Sequence, residues 1–136
     1  MRYFDASALV RRYVRETGRV KVRRLLSSDV SATSRLSAVE ITSALMRRSR
    51  EGRLWMRSAI APLPSSPGTW PLCWSSTPDI VARAQALLKR HTLCACDAIQ
   101  LASCLFLQEE LGEETTLVAF DERLAAAARR EELKLA

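Results

Sequence analysis

The chain has 136 residues, 48% of them hydrophobic and 26% charged, a size and balance that fit one globular domain with a buried core and exclude a disordered tail. Lys and Arg number 21 against 15 Asp and Glu, a net charge of +6 that favours a polyanionic partner without naming one. No apolar run is long enough to span a bilayer, and the N-terminus reaches Asp5 without a secretory signal, so a cytoplasmic protein with no membrane association is expected.

Met1 to Phe4 reads as a short strand that Asp5 stops. Ser7 is suited to cap a helix whose core face is Leu9, Val10 and Tyr13 and which breaks at Thr17-Gly18. Val20, Leu25 and Leu26 mark a second helix, made very basic by Lys21, Arg23 and Arg24. Val30 to Thr33 suits a strand of small residues. Ser34 or Ser37 then opens a long helix to about Arg50, with Leu36, Val39, Ser43 and Met46 on one stripe and Gly52 as its end. Ile80, Val81, Ala84, Leu87 and Leu88 make another amphipathic helix. From Cys96 onward, Ala98, Ile99, Leu101, Ala102, Leu105 and Phe106 cover almost every face of a helix, which places it in the middle of the domain with Asp97 at its N-terminus. Thr116 to Phe120 is a strong strand ended by Asp121, Glu122 to Arg130 is helical, and Leu133 to Leu135 suits a last short strand. Helices alternating with short buried strands predict an α/β fold, a parallel sheet covered on both faces, as one domain over residues 1–136.

Residues 58–77 break the pattern. Pro62, Pro64, Pro67 and Pro71 lie there with Trp70 and Trp74, and no helix or strand period survives. A structureless loop of this length is unusual inside a domain. It reads either as a genuine surface loop or lid, or as a local slip of reading frame. Shifting the frame back by one nucleotide turns positions 71 and 74 into Ala and Leu whichever codons are used. Permitted codons then yield the helix end and buried strand that an α/β unit needs before Pro78. Resequencing the gene separates the two.

Cys73, Cys94, Cys96 and Cys104 make no zinc-ribbon spacing. His91-x-x-Cys94-x-Cys96 lacks a clear fourth ligand, so free, mostly buried thiols in a reducing compartment are expected.

Four carboxylates sit at comparable places. Asp5 and Asp121 follow strands, and sites in parallel sheets form outside the carboxyl ends of strands. Asp97 and Glu40 lie at or near helix starts. Each also has a purely structural reading: Asp97 and Asp121 as N-caps, Ser37-x-x-Glu40 as a capping box, Asp5 in an Asx-turn with Ser7. Four such acids brought together would raise one another's pKa unless a cation held them. Oxygen ligands select magnesium or manganese over zinc. An ion there would acidify a water and stabilise an in-line phosphoryl displacement.

At these residues the sequence resembles the PIN-domain superfamily, and most closely its VapC type of toxin ribonuclease. The matching segments are residues 3–10, from Tyr3 to Val10, then Thr33 to Glu40, Asp97 to Ala102 and Ala119 to Leu124. Any one is weak; all four in order are specific. The resemblance implies a three-layer α/β/α sandwich with a short parallel sheet and a Mg2+- or Mn2+-dependent endoribonuclease. It places Asp5, Glu40, Asp97 and Asp121 at the family's acidic, metal-holding catalytic positions, with Ser7 supporting the first. It also implies a homodimer and a cognate antitoxin that covers the site.

Arg11, Arg12 and Arg15 follow the first acid on a helix leaving the site, and Arg47 heads a basic cluster with Arg48, Arg50 and Arg53. They suit RNA phosphates, or a solvated helix face, or an acidic antitoxin. Two other functions compete. One is a PIN scaffold whose altered middle has cost it catalysis and left an RNA- or antitoxin-binding module. The other is a phosphotransferase with Asp5 as nucleophile, disfavoured because Asp5-Ala6-Ser7 lacks a second Asp.

Overall fold

Tyr3 and Phe4 are neighbours on the first strand, β1 (Arg2–Phe4), and the hydrophobic core divides between them. Successive strand residues point to opposite faces, so each side chain seeds its own layer. Tyr3 packs with Ala32, Ile80, Leu101, Leu117 and Leu124. Phe4 packs with Leu9, Val22, Ile41, Leu45 and Val118.

The computed structural model describes residues 1–52 and 72–136. After β1 come α1 (Ala6–Val10), α2 (Arg19–Ser27), β2 (Ser31–Ser34) and α3 (Leu36–Arg50). Then follow β3 (Leu72–Trp74), α4 (Pro78–Arg90), α5 (Ala95–Leu111), β4 (Thr116–Val118), α6 (Glu122–Arg130) and β5 (Lys134–Leu135). All strand pairings are parallel, in the order β3-β2-β1-β4-β5. Helices α1, α2 and α3 contribute to the Phe4 layer, and α4, α5 and α6 to the Tyr3 layer. This is the expected three-layer α/β/α sandwich. The sheet grows from β1 through β2 to β3, and the chain then returns to place β4 on the other flank of β1. The crevice between β1 and β4, outside their carboxyl ends, is the switch point where such folds hold ligands.

The long helices form where expected, but three buried faces differ. In α3 the buried stripe is Ser37, Ile41 and Leu45, four residues apart, while Val39 is 66% exposed. The expected stripe through Val39 and Met46 instead lines an open groove on the outer side of the helix. In α2 the buried residue is Val22, and Val20 is 82% exposed. In α4, Ile80, Ala84 and Leu87 face inward and Val81 and Leu88 outward. Thr77 caps α4 by accepting the Ile80 N–H, and Pro78 sits in its first turn, where a missing N–H costs nothing.

A strand forms inside the segment read as patternless. Leu72 to Trp74 pairs with Ala32 to Ser34, and the Trp74 carbonyl accepts the Arg35 N–H. Three residues on a sheet edge are too short for any alternation to register, and the residues as they stand supply it. Trp74 packs its ring against Phe106 of α5, with centroids 6.3 Å apart. Residues 58–71, and with them the loop-or-frame-slip question, lie outside the described residues.

Candidate active site

Asp5 stands one residue beyond β1, in extended backbone, and is 3% exposed. Its N–H bonds the Val118 carbonyl of β4, and its Oδ2 accepts the Ser7 N–H at 3.0 Å. Asp5, not Ser7, is therefore the N-cap of α1. The Ser7 Oγ accepts the Phe120 N–H at 3.2 Å, which ties the end of β4 to the start of α1, and the same hydroxyl bonds the Asp5 carboxyl. Burial pushes the Asp5 carboxyl above its ordinary pKa; hydrogen bonds from Ser7 oppose the shift, and the Asp97 charge adds to it.

Glu40 projects from α3 into a buried polar chain. Gln100 of α5 donates through Nε2 to Glu40 Oε2 at 2.6 Å and to Ser37 Oγ at 2.9 Å, and its Oε1 accepts the Tyr3 hydroxyl at 2.8 Å. Ser37 Oγ meets Thr33 Oγ1 at 2.6 Å, and Thr33 lies against the Phe4 carbonyl at 2.7 Å. The capping box is thus overturned: Ser37 lies inside the helix, fully buried, and binds across layers rather than capping α3. The Glu40 carboxyl is raised by burial, against the Gln100 bond, and further by the charges of Asp5 and Asp97.

Asp97 occupies the first turn of α5, whose N-cap is Cys94, with its Sγ accepting the Asp97 N–H at 3.4 Å. The N-cap reading of Asp97 therefore fails; its carboxylate hydrogen-bonds the Cys94 thiol, and its charge reaches Asp5 and Glu40. Cys96 hydrogen-bonds Glu40, and burial raises its thiol. His91 lies apart from both thiols, with Nε2 on Glu131 at 2.6 Å, so the His-Cys-Cys motif does not assemble. Asp121 is the N-cap of α6, its Oδ1 accepting the Arg123 and Leu124 N–H groups at 2.9 and 3.1 Å.

The fold thus places all four acids at the carboxyl end of the sheet or on helices that start there. The Asp97 charge raises Asp5, and the charges of Asp5 and Asp97 raise Glu40. Among the described residues Asp121 is linked to them through its neighbour Phe120, whose N–H bonds Ser7. Among the described residues, no three His, Cys, Asp or Glu side chains close tightly enough to hold an ion as they stand. The donor set nonetheless suits a hard divalent cation. It is all oxygen, and two of its carboxyls are held partly buried at the cost of ionising, which a cation would offset.

The expected arginines divide. α1 ends at Val10, so Arg11, Arg12 and Arg15 lie past the helix rather than on it. Arg11 stacks on Phe120 at 4.1 Å and, with Arg47 and Arg48 of α3, lines a 290 Å3 pocket that also contains Ser7, Glu16 and Glu40. Arg12 lies beside Tyr13, and Arg15 is exposed away from that pocket. Gln100, Tyr3 and Glu16 had no assigned role in the sequence. A Gln amid the apolar residues Ala98 to Ala102 is the available signal for the first, since buried polar groups need partners.

Comparison with known proteins adds the family. The PIN-domain family model matches residues 2–130. The chain belongs to the PIN-domain family. Ribonuclease VapC45 and ribonuclease VapC49, both from Mycobacterium tuberculosis strains, are each 31% identical to it over 134 residues, covering 93% of this chain and 88% of the relative. Among solved structures, M. tuberculosis VapC20, described as a sarcin-ricin loop cleaving toxin, superposes with a TM-score of 0.71 at 23% identity, over 93% of this chain and 95% of that one. A toxin–antitoxin complex from Klebsiella pneumoniae superposes at 0.59 with 22% identity, over 93% and 91% of the two chains. These likenesses agree with the α/β/α sandwich of the described residues, and no described helix is long and apolar enough to cross a membrane.

Proposed function

We propose that this PIN domain is an endoribonuclease, the toxin of a toxin–antitoxin pair, which hydrolyses RNA phosphodiester bonds with Mg2+ or Mn2+. One observation carries the reading beyond the family: Asp5 is buried at the end of β1 and bonded to β4, at the crevice where the sheet order reverses, within reach of the Glu40 carboxyl's charge. Asp5, Glu40, Asp97 and Asp121 would hold the ion. When bound, it supplies the Lewis acidity that activates water and offsets phosphate charge. Ser7 keeps Asp5 ionisable by donating to its carboxylate. Asp121 is oriented by the two amide donors of its own helix, which hold one oxygen and leave the other for the site. Gln100 aims Glu40. RNA is the substrate, a cognate antitoxin the partner, and the protein acts in the cytoplasm as a homodimer.

The test is cleavage of a structured RNA mixture by purified protein, with and without Mn2+, beside Asp97→Asn. Cutting should require the ion and fall at least 100-fold in a variant that melts like the wild type, about 2.7 kcal/mol of transition-state stabilisation. Undiminished cutting by Asp97→Asn would count against the assignment. RNA or antitoxin binding without cutting would leave a binding scaffold instead.

A further inference from the structure

We infer that the pocket between α1 and α3 is a phosphate subsite for the RNA strand, and that Glu16 is a built-in anion which the RNA displaces. The inference rests on the nuclease reading and adds an anchor for the strand.

The pocket opens beside the acids. Its lining includes Ser7 and Glu40 from the site and Arg11, Arg47 and Arg48 around Glu16. The Glu16 carboxylate is gripped from two directions. Arg48 Nε and Nη2 converge on Oε1 at 3.2 and 2.8 Å, while Arg11 Nη1 reaches Oε2 at 3.4 Å. The two guanidinium groups arrive from positions 37 residues apart, 48 minus 11, and meet on one small anion. A phosphodiester presents the same two-oxygen face to an arginine fork, with oxygens that pair at least as well. Glu16 is a weak incumbent. Its side chain is 39% exposed, and a part-exposed ion pair contributes little to stability.

Arg11 does not need Glu16 to stay in place. Its Nη1 also donates to the Thr17 carbonyl at 2.8 Å, and its guanidinium lies 4.1 Å above the Phe120 ring. Arg48 has no such second hold among its described hydrogen bonds, so it is the group most free to follow a ligand. Ser7 and Glu40 line this pocket as well as the site, so a phosphate held here would neighbour one at the acids along the strand. The pocket would therefore set strand direction across the site.

The experiment measures binding of a labelled single-stranded RNA oligonucleotide in EDTA, where no cutting occurs, across a salt series. Cleavage with Mn2+ is followed in parallel. Glu16→Gln, with the incumbent anion neutralised, should bind about threefold tighter or better and cut with a lower KM. Arg48→Ala should bind more weakly, and its salt slope should be shallower by about 0.7, one single-strand phosphate contact. Arg48→Lys should keep the slope. In the double variant Glu16→Gln with Arg48→Ala, the tightening should shrink, because the freed partner is gone. Glu16→Gln binding no tighter than wild type, or Arg48→Ala with an unaltered slope, overturns the subsite. If wild type cuts RNA while these variants leave affinity and KM unmoved, the subsite falls and the nuclease stands. If wild type does not cut, the nuclease reading falls, and the binding series still decides the pocket. A wild type that binds no RNA in EDTA removes the subsite, and the nuclease reading then stands or falls on the cutting with Mn2+.

Discussion

Gln100 uses both ends of its amide inside the protein. Its Nε2 serves Glu40 and Ser37 while its Oε1 takes the Tyr3 hydroxyl, so the amide has one orientation that satisfies all three partners. Glu40 is thereby turned toward Asp5 and Asp97, although its helix would let a glutamate of this length swing outward. Gln100→Leu keeps similar volume but takes one partner from the Tyr3 hydroxyl, leaving it Ser103, and removes the donor from Glu40 and Ser37. The expected cost is about 1–3 kcal/mol of stability, from leaving buried polar groups unpaired. The Mn2+ affinity should drop about 10- to 100-fold, as for other losses of a group that orients a metal ligand. Tyr3→Phe should cost about 1 kcal/mol and weaken the ion less, because Gln100 keeps its bond to Glu40. Calorimetric titration with Mn2+ on folded variants reads both effects. An unchanged affinity in Gln100→Leu would show that Glu40 is aimed by its helix alone.

At the scale of elements, the joint between α2 and the end of β4 is tighter than its sequence suggests. Gly18 is the N-cap of α2, with φ at +91°, and a Cβ there would lie 2.6 Å from Phe120. Phe120 in turn supports Arg11 and donates its N–H to Ser7. Gly18→Ala should therefore cost about 1–3 kcal/mol through strain and overpacking, and weaken RNA binding as well. Gly112→Ala is the control. Its φ of +63° is also left-handed, yet nothing lies within 4 Å of the added carbon, so it should cost less and leave RNA binding intact. Equal melting temperatures for the two would mean Phe120 simply moves aside. Thr17-Gly18 was legible as a helix break, but not as a contact, because the ring it meets lies about 100 residues away in the chain. The same distinction runs through the fold. Alternation and helix spacing exposed the long helices and every strand but β3, and apolar density picked out α5 as central. What they could not decide was which stripe of α3 faces the sheet. Ser37, Ile41 and Leu45 win over the equally periodic Val39 and Met46 because Ser37 finds Thr33 and Gln100 across the layers. The acids were legible by position. The roles of their supports were not: Cys94 displaced Asp97 as the cap, and Gln100 answered Glu40 from 60 residues away.

Taken as a whole molecule, the fold brings Asp5, Glu40 and Asp97 from three separate elements within reach of one another's charge, an arrangement that exists only when the chain is folded. Both Asp5 and Glu40 titrate higher in the native protein than the ordinary values of 3.8 and 4.5. For a carboxyl raised in the folded state, the native form binds more protons than the unfolded one within that window. Stability then falls as pH rises from the ordinary value through the native one, and stays reduced above it. Metal-free wild type should lose its share of stability in that direction, and Asp5→Asn, with nothing to ionise there, should not. In EDTA the variant should therefore melt higher than wild type at pH 7 by a few degrees, and the gap should close below about pH 4. Glu109 and Glu131, which are lowered by arginine and histidine partners, act oppositely but equally in both proteins and cancel in the difference. Saturating Mn2+ should reverse the order. An ion bound only by the native state at 100 times its Kd adds about 2.7 kcal/mol, and Asp5→Asn would forfeit most of that. Melting curves of the two proteins between pH 3.5 and 8, with chelator and then with Mn2+, test each step. A wild type that melts above Asp5→Asn at pH 7 in EDTA would mean that the acids are not under mutual strain. An unreversed order in Mn2+ would mean that Asp5 does not hold the ion.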